Sequence, residues 1–260
     1  MLKTLRHYSD SDGYNNAAAI LADDNDLFGI DIVRFGSNAD QILDRERVSG
    51  VSALRQLDEA MSMHRRYYQY ERIEGATRNA HERVPEEAFR EAVANALVHR
   101  AWDTPANIQI SMDETRIKVA SPGGIPPGIS AEEYLTGHVS VLRNPILAGV
   151  FFRLDYVEIF GTGIGRIMAA YEGRDARPEF DISDNAITIT LPVLGLPQDL
   201  TADELRVLKG FNGNRILSRL EVQREQELSQ AKAGRVLNSL IAKGQIVREL
   251  RGRATKYRLA

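Results

Sequence analysis

Two hundred and sixty residues, 43% hydrophobic and 27% charged, can bury a real core as one large domain or two ordinary ones. The absence of cysteine removes disulfides, thiolate metal sites and cysteine nucleophiles and makes a reduced cytoplasm the default, while no apolar stretch approaches the ~20 residues that span a bilayer. The net charge of −3 hides a division: residues 201–260 hold 13 Lys+Arg against 6 Asp+Glu, net +7, and residues 1–200 hold 20 against 30, net −10, the pattern of an acidic body carrying a basic module whose usual client is nucleic acid.

In chain order, residues 1–83 read as an N-terminal extension that packs on the core or leads into it. Within it Asn16-Ala-Ala-Ala-Ile-Leu21 is apolar, Gly29-Ile-Asp-Ile-Val33 looks like a strand, and residues 51–71 look helical. A second segment, residues 84–197, opens with a helix over 87–100 that places Phe89, Val93, Ala96 and Leu97 on one face. Asn107-Ile-Gln-Ile-Ser-Met112 and Arg116-Ile-Lys-Val-Ala120 alternate and form a hairpin through Asp113. Residues 121–145, rich in Gly and Pro, are too long for a simple connection and favour a functional loop. Residues 155–160 form a strand or a short helix, and Gly161-Thr-Gly-Ile-Gly165 opens a helix through Ile167, Met168 and Tyr171. Ala186-Ile-Thr-Ile-Thr-Leu191 is the last strand, before a linker with Pro192 and Pro197. Meander-like strands with interleaved helices favour an α+β sandwich over a doubly wound parallel sheet.

The third segment, residues 198–260, starts with the N-cap signal Thr201-Ala-Asp-Glu204. Helices over 203–211, from 215–221 onward, and over 229–244 precede two short strands, 245–251 and 254–259, which is the winged-helix pattern. In the third helix Ala233, Val236, Leu237, Leu240 and Ile241 form the buried stripe. Gln230, Lys232, Arg235 and Asn238 lie on other faces and suit base-edge contacts in a major groove. Arg251, Arg253 and Lys256 on the wing suit phosphate or minor-groove contacts to double-stranded DNA. Residues 229–258 carry eight Lys+Arg against Glu249 alone, which favours DNA over the protein-docking role that winged helices also serve.

Within the acidic body, Glu91 and Asn95 stand four apart and project from one helix face. A carboxylate beside a carboxamide orients water and holds a hard cation, and glycine turns at Ser121-Pro-Gly-Gly124 and Gly161–Gly165 let backbone N–H groups approach phosphate. Taken singly, each piece also has an ordinary structural reading: a polar helix face, a tight turn or C-cap, and for His99 and Arg100 cations favoured at a helix C-terminus. No P-loop, nucleophile elbow or metal-ligand spacing of the five histidines occurs, and Arg166 stands where a dinucleotide fingerprint needs its third glycine.

Glu91-Ala-Val-Ala-Asn-Ala-Leu-Val-His-Arg100, Ser121-Pro-Gly-Gly-Ile-Pro126, Arg143-Asn-Pro145 and Glu158-Ile-Phe-Gly-Thr-Gly-Ile164, in that order, resemble the C-terminal region of Schlafen-like, RecG-related predicted transcriptional regulators. That region is similar to the GHKL ATPase fold, a two-layer α/β sandwich, here followed by a winged helix-turn-helix. The resemblance covers about residues 84–196, with weaker likeness upstream at Asn16–Leu21 and Ile42–Arg45. It implies ATP and Mg²⁺ as cofactors, Glu91 as the general base that polarises the attacking water, and Asn95 as the Mg²⁺ ligand. It further implies Gly123 and Gly124 beside the adenine, Gly161, Thr162, Gly163 and Gly165 near the phosphates, residues 125–144 as a lid, and Arg143 as a phosphate contact. Where the family has an aspartate that accepts from the adenine amino group, this chain has Ser121, a neutral acceptor about half as strong.

These observations predict a cytoplasmic DNA-binding transcriptional regulator with an ATP-binding GHKL-like domain and no membrane association. The alternatives are an ATPase that remodels a partner or nucleic acid, and a non-catalytic interaction scaffold. Helicase activity is not expected, because no motor motif is present, and the base rate for symmetric regulators predicts a homodimer.

Overall fold

The computed structural model describes residues 6–36, 38–74, 77–137, 141–157, 161–174, 176–195, 200–211, 215–249 and 255–260. The chain divides into two compact units, Met1–Phe35 with Ile42–Gly195, and Gly36–Gln41 with Leu196–Ala260.

The first unit opens with strands β1 (Tyr8–Ser9) and β2 (Gly13–Tyr14), which pair with each other, and helix α1 (Asn16–Ile20). Next come β3 (Ile30–Phe35), β4 (Ile42–Val48), helix α2 (Ala53–Tyr68), the hairpin β5 (Gln69–Glu74) and β6 (Thr77–Glu82), and helix α3 (Glu86–His99). Strands β7 (Ile108–Met112) and β8 (Arg116–Pro122) lead into helices α4 (Ala131–Thr136), α5 (Pro145–Arg153) and α6 (Gly163–Ala169), and β9 (Glu179–Ile182) and β10 (Ala186–Pro192) close the unit.

Six of these strands form one sheet in the order β4-β3-β7-β8-β10-β9, antiparallel throughout except where β3 pairs parallel with β7. The period-2 alternation decides which face is dry. Ile32, Ile110, Val119 and Ile189 are register partners in a row across four strands and are all buried, while Gln109, Lys118 and Thr190 point the other way. Helix α3 packs on β8 and β10 and touches α2, α5 and α6. It is therefore buried nearly all round, with Ala92, Val93, Ala94 and Leu97 inaccessible, where periodicity predicts one apolar face. Its alanines leave room for neighbours on every side.

Three further expectations are refined. The segment expected to be helical through residue 71 leaves the helix at Tyr68 and continues as β5, whose polar alternation gives no apolar signal. The long glycine- and proline-rich loop contains the helix α4. Asp155–Val157 lie in neither helix nor strand, Asp155 with φ 59°, and residues 158–160 fall outside the described residues.

The second unit contains α7 (Ala202–Gly210), β11 (Leu217–Ser218), α8 (Arg219–Glu225), α9 (Gln230–Ala242), β12 (Ile246–Arg248) and β13 (Lys256–Leu259). Its sheet is antiparallel in the order β11-β13-β12. Its own core joins Leu205, Val207, Phe211 and Val222 to Ala233, Val236, Leu237 and Leu240 of α9, with Ile241 packed at the edge. The Thr201/Glu204 capping box starts α7, and Glu204 also takes Lys243 Nζ at 2.9 Å. Burial would raise the Glu204 carboxyl, but hydrogen bonds from Ser239, Thr201 and Lys243 prevail and hold it at about 2.

Candidate functional site

Helix α3 presents Glu91 and Asn95 one turn apart, and Asn95 Nδ2 donates to Glu91 Oε1 at 3.1 Å. Glu91 is fully buried, and its Oε2 has no hydrogen-bond partner among the described residues. Burial raises its carboxyl pKa, against the opposing effects of the Asn95 hydrogen bond and the Arg166 charge. At the start of α6, a side chain on Gly163 would put its Cβ 2.6 Å from Glu91 Oε1 and 2.7 Å from Asn95 Nδ2. Only glycine lets that helix N-terminus approach the pair so closely.

Strand β8 ends beside α3. Ser121 Oγ donates to the Ala96 carbonyl at 3.1 Å, so its hydroxyl proton is committed and its lone pairs remain as acceptors. Gly123 has φ +96° and lies against Ala101 and the Arg143 guanidinium, and Gly124 backs onto the carbonyls of Ser183 and Asp184. Arg143, expected as a phosphate contact, donates instead through Nη2 to the Gly124 carbonyl at 2.6 Å, clamping the first glycine turn. Its neighbour Asn144 donates to the carbonyls of Val98 and Arg100, 2.7 and 3.1 Å away, and so caps the end of α3.

Arg100 is structural. Fully buried, it donates to the carbonyls of Phe28, Gly29, Thr104 and Ala106 and stacks 4.4 Å from the Trp102 ring centroid. His99 lines the cleft, its ring held neutral by burial and by the Arg143 charge, with a pKa pushed down to about 4. Asn95, Ala96 and His99 of α3, Val119 and Ser121 of β8, Gly123, Ile187 and Ile189 of β10, and Tyr134 of α4 surround a void of only ≈ 20 Å³.

Gly161 lies against Gly137, Thr162 is the N-cap of α6 without a side-chain cap bond, and Gly165 faces open space. Sequence reasoning assigned no role to Tyr134 or Asn144, and the cation it placed at His99 is a neutral ring lining the cleft. A signal for Tyr134 exists: Ser130 and Glu133 form a capping box and Gly137 is a left-handed C-cap, which together delimit a helix inside the loop.

In the second unit Gln230 and Arg235 are exposed on α9, and Lys256 is exposed on β13. Two other expected DNA contacts are engaged within the protein. Lys232 pairs with Asp203 at 2.8 Å, and Asn238 accepts from Arg248 Nη2 at 2.8 Å. Arg251 and Arg253 lie outside the described residues. An open groove of ≈ 740 Å³ is lined by Ser218, Arg219, Gln223, Gln230, Thr255 and Tyr257, among others.

Residues 105–191 match the family described as "Putative ATP-dependent DNA helicase recG C-terminal". This stretch, one third of the chain, runs from just before β7 through most of β10 and is a RecG-related ATPase-like region within a mixed α+β fold; α3, with Glu91 and Asn95, precedes it. The crystal structure of the DIP2311 protein from Corynebacterium diphtheriae is similar over 100% of this chain, with a TM-score of 0.65 and 22% sequence identity, a likeness of fold. The chain spans 56% of that protein's length. No curated protein matches the chain. Among the described residues no helix is long and apolar enough to cross a membrane, and no cluster of three or more His, Cys, Asp or Glu side chains is placed to hold a metal.

Proposed function

We propose that the first unit is a Mg·ATP-binding module of GHKL type and the second a winged helix that binds double-stranded DNA, making the chain a nucleotide-responsive transcriptional regulator. The observation that carries the nucleotide reading is the Glu91/Asn95 pair with Gly163 at its edge, because a buried carboxylate oxygen without a partner, a carboxamide and a closely approaching glycine helix start converge there. Hard oxygen donors suit Mg²⁺, which accepts few protein ligands when phosphates supply the rest, so Asn95 Oδ1 fits the ion, with Glu91 beside it. When bound, Mg²⁺ neutralises phosphate charge. Backbone N–H groups at the start of α6 would hold phosphate, and the Ser121 lone pairs, its proton being given to the Ala96 carbonyl, would accept from the adenine amino group.

The DNA reading draws support from the net charge of +7 over residues 201–260, from the order of helices and strands, and from the exposed Gln230, Arg235 and Lys256. Calorimetry with Mg·ATP tests the first half: saturable binding by the native chain is expected, lost in Asn95→Ala, and no binding either by the native chain or by Tyr134→Ala rejects it. Duplex affinity tests the second. It should collapse in the Arg235→Ala, Arg253→Ala double variant, and unchanged affinity rejects the winged-helix assignment.

One observation favours turnover as a second reading. Glu91 Oε2 is free to take the proton of an attacking water, and burial moves its pKa toward the neutral range a general base needs. Mg²⁺-dependent phosphate release that disappears in Glu91→Ala is the expected result, and absence of release with and without DNA excludes it.

A further inference from the structure

The cleft between α3 and β8 is shut by the protein's own residues. A ligand-sized site needs about 300 Å³ or more, whereas the ≈ 20 Å³ left here holds about one water. The side chain that reaches in from the far side is Tyr134, an aromatic ring facing the apolar Val119, Ile187 and Ile189 and the polar Ser121, Asn95 and His99. Its hydroxyl is desolvated, which raises its pKa. The helix bearing it is capped at its start and tied to another turn at its end. Ser130 and Glu133 close its N-terminus reciprocally, and Gly137, at φ +68°, meets Gly161, at φ +72°, so tightly that a Cβ on Gly137 would fall 2.5 Å from the Gly161 carbonyl oxygen. Two glycines far apart in sequence thus make a backbone contact that joins α4 to the second glycine turn.

We infer that Tyr134 is the intramolecular occupant of the base end of the cleft, and that the Gly137/Gly161 contact latches it there, so that a nucleotide must displace α4 before it binds. The inference rests on the nucleotide reading above and adds its regulation: affinity is set by competition between Tyr134 and a planar base for one slot between an α-helix and a sheet. Removing the ring removes the competitor.

The test is Mg·ATP affinity of the full chain by calorimetry, with amide hydrogen exchange of α4 recorded without nucleotide. Tyr134→Ala should tighten binding at least tenfold, Tyr134→Phe should stay close to the native chain, and the native α4 amides should be protected but released in Tyr134→Ala. Gly137→Ala opens the same latch without touching the ring and should also tighten binding, which keeps the idea testable should Tyr134→Ala fold poorly. Equal affinity of native and variant chains overturns the plug and leaves the nucleotide reading standing. Native α4 amides that exchange as fast as an unstructured loop overturn it whatever nucleotide does. Protected α4 amides with no nucleotide binding by any variant overturn the nucleotide reading and this inference with it.

Discussion

Glu91 shows how a buried carboxyl works against stability. Its carboxyl pKa is raised by burial above the ordinary 4.5, so ionisation costs the fold stability: the cost sets in as the pH rises past the unfolded value and is complete above the raised one. Glu91→Gln keeps an acceptor for Asn95 while removing the buried charge, and should stabilise the fold by about 1 kcal/mol at pH 8 in urea titrations. Gly163→Ala should do the reverse. Its Cβ would push aside the side-chain ends of Glu91 and Asn95, and a loss of about 1 kcal/mol together with loss of Mg·ATP binding is expected from overpacking. Histidines give the pH dependence. His64, stacked between Tyr68 and Phe89, and His99 are both pushed down to about 4 by burial, against 6.5 in the unfolded chain. The unfolded state therefore binds more protons between pH 6.5 and 4, and stability present above pH 6.5 is lost as the pH falls through that window, by about 3 kcal/mol per histidine. His64→Gln should flatten the acid limb of a urea-midpoint profile, and an unchanged slope would rule His64 out as the source.

At the scale of elements, legibility follows the strength of periodicity. Strands β7, β8 and β10 were readable because Ile108, Ile110, Ile117, Val119, Ile187 and Ile189 alternate with polar residues over a half-buried sheet. The ribbon of β5 and β6 was not, because Gln-Tyr-Glu-Arg-Ile-Glu has no apolar face to bury. Helix α4 was hidden by six residues of length, although its caps were in plain view, and with it went the residue that fills the cleft. The Glu91/Asn95 spacing was legible because four residues fix a shared helix face whatever surrounds it. The destination of the Arg143 guanidinium was not, because the carbonyl of Gly124 becomes its partner only when two loops meet. In the second unit, α9 reads clearly from its stripe, and Leu237→Ala, at the centre of that core, should cost about 3 kcal/mol in thermal unfolding.

On the scale of the whole molecule, the separation of charge into −10 over residues 1–200 and +7 over residues 201–260 makes the DNA binding proposed for the second unit testable by salt. Binding carried by phosphate neutralisation falls linearly in log–log terms with salt, with a slope of about −0.9 per contact, and Lys256→Ala should reduce that slope by about one across unrelated duplex sequences. The parallel pairing of β3 with β7 has a different kind of consequence. Ile30 meets Ile108, so the strand emerges from a ribosome 78 residues before its partner exists. At about 5–20 residues per second the wait is on the order of 4–16 s, during which the apolar edge of β3 has only β4 beside it. The two arginines of β4, Arg45 and Arg47, both bonded to Asp31 of β3, put charge on that nascent hairpin while its β7-facing edge is still unpaired.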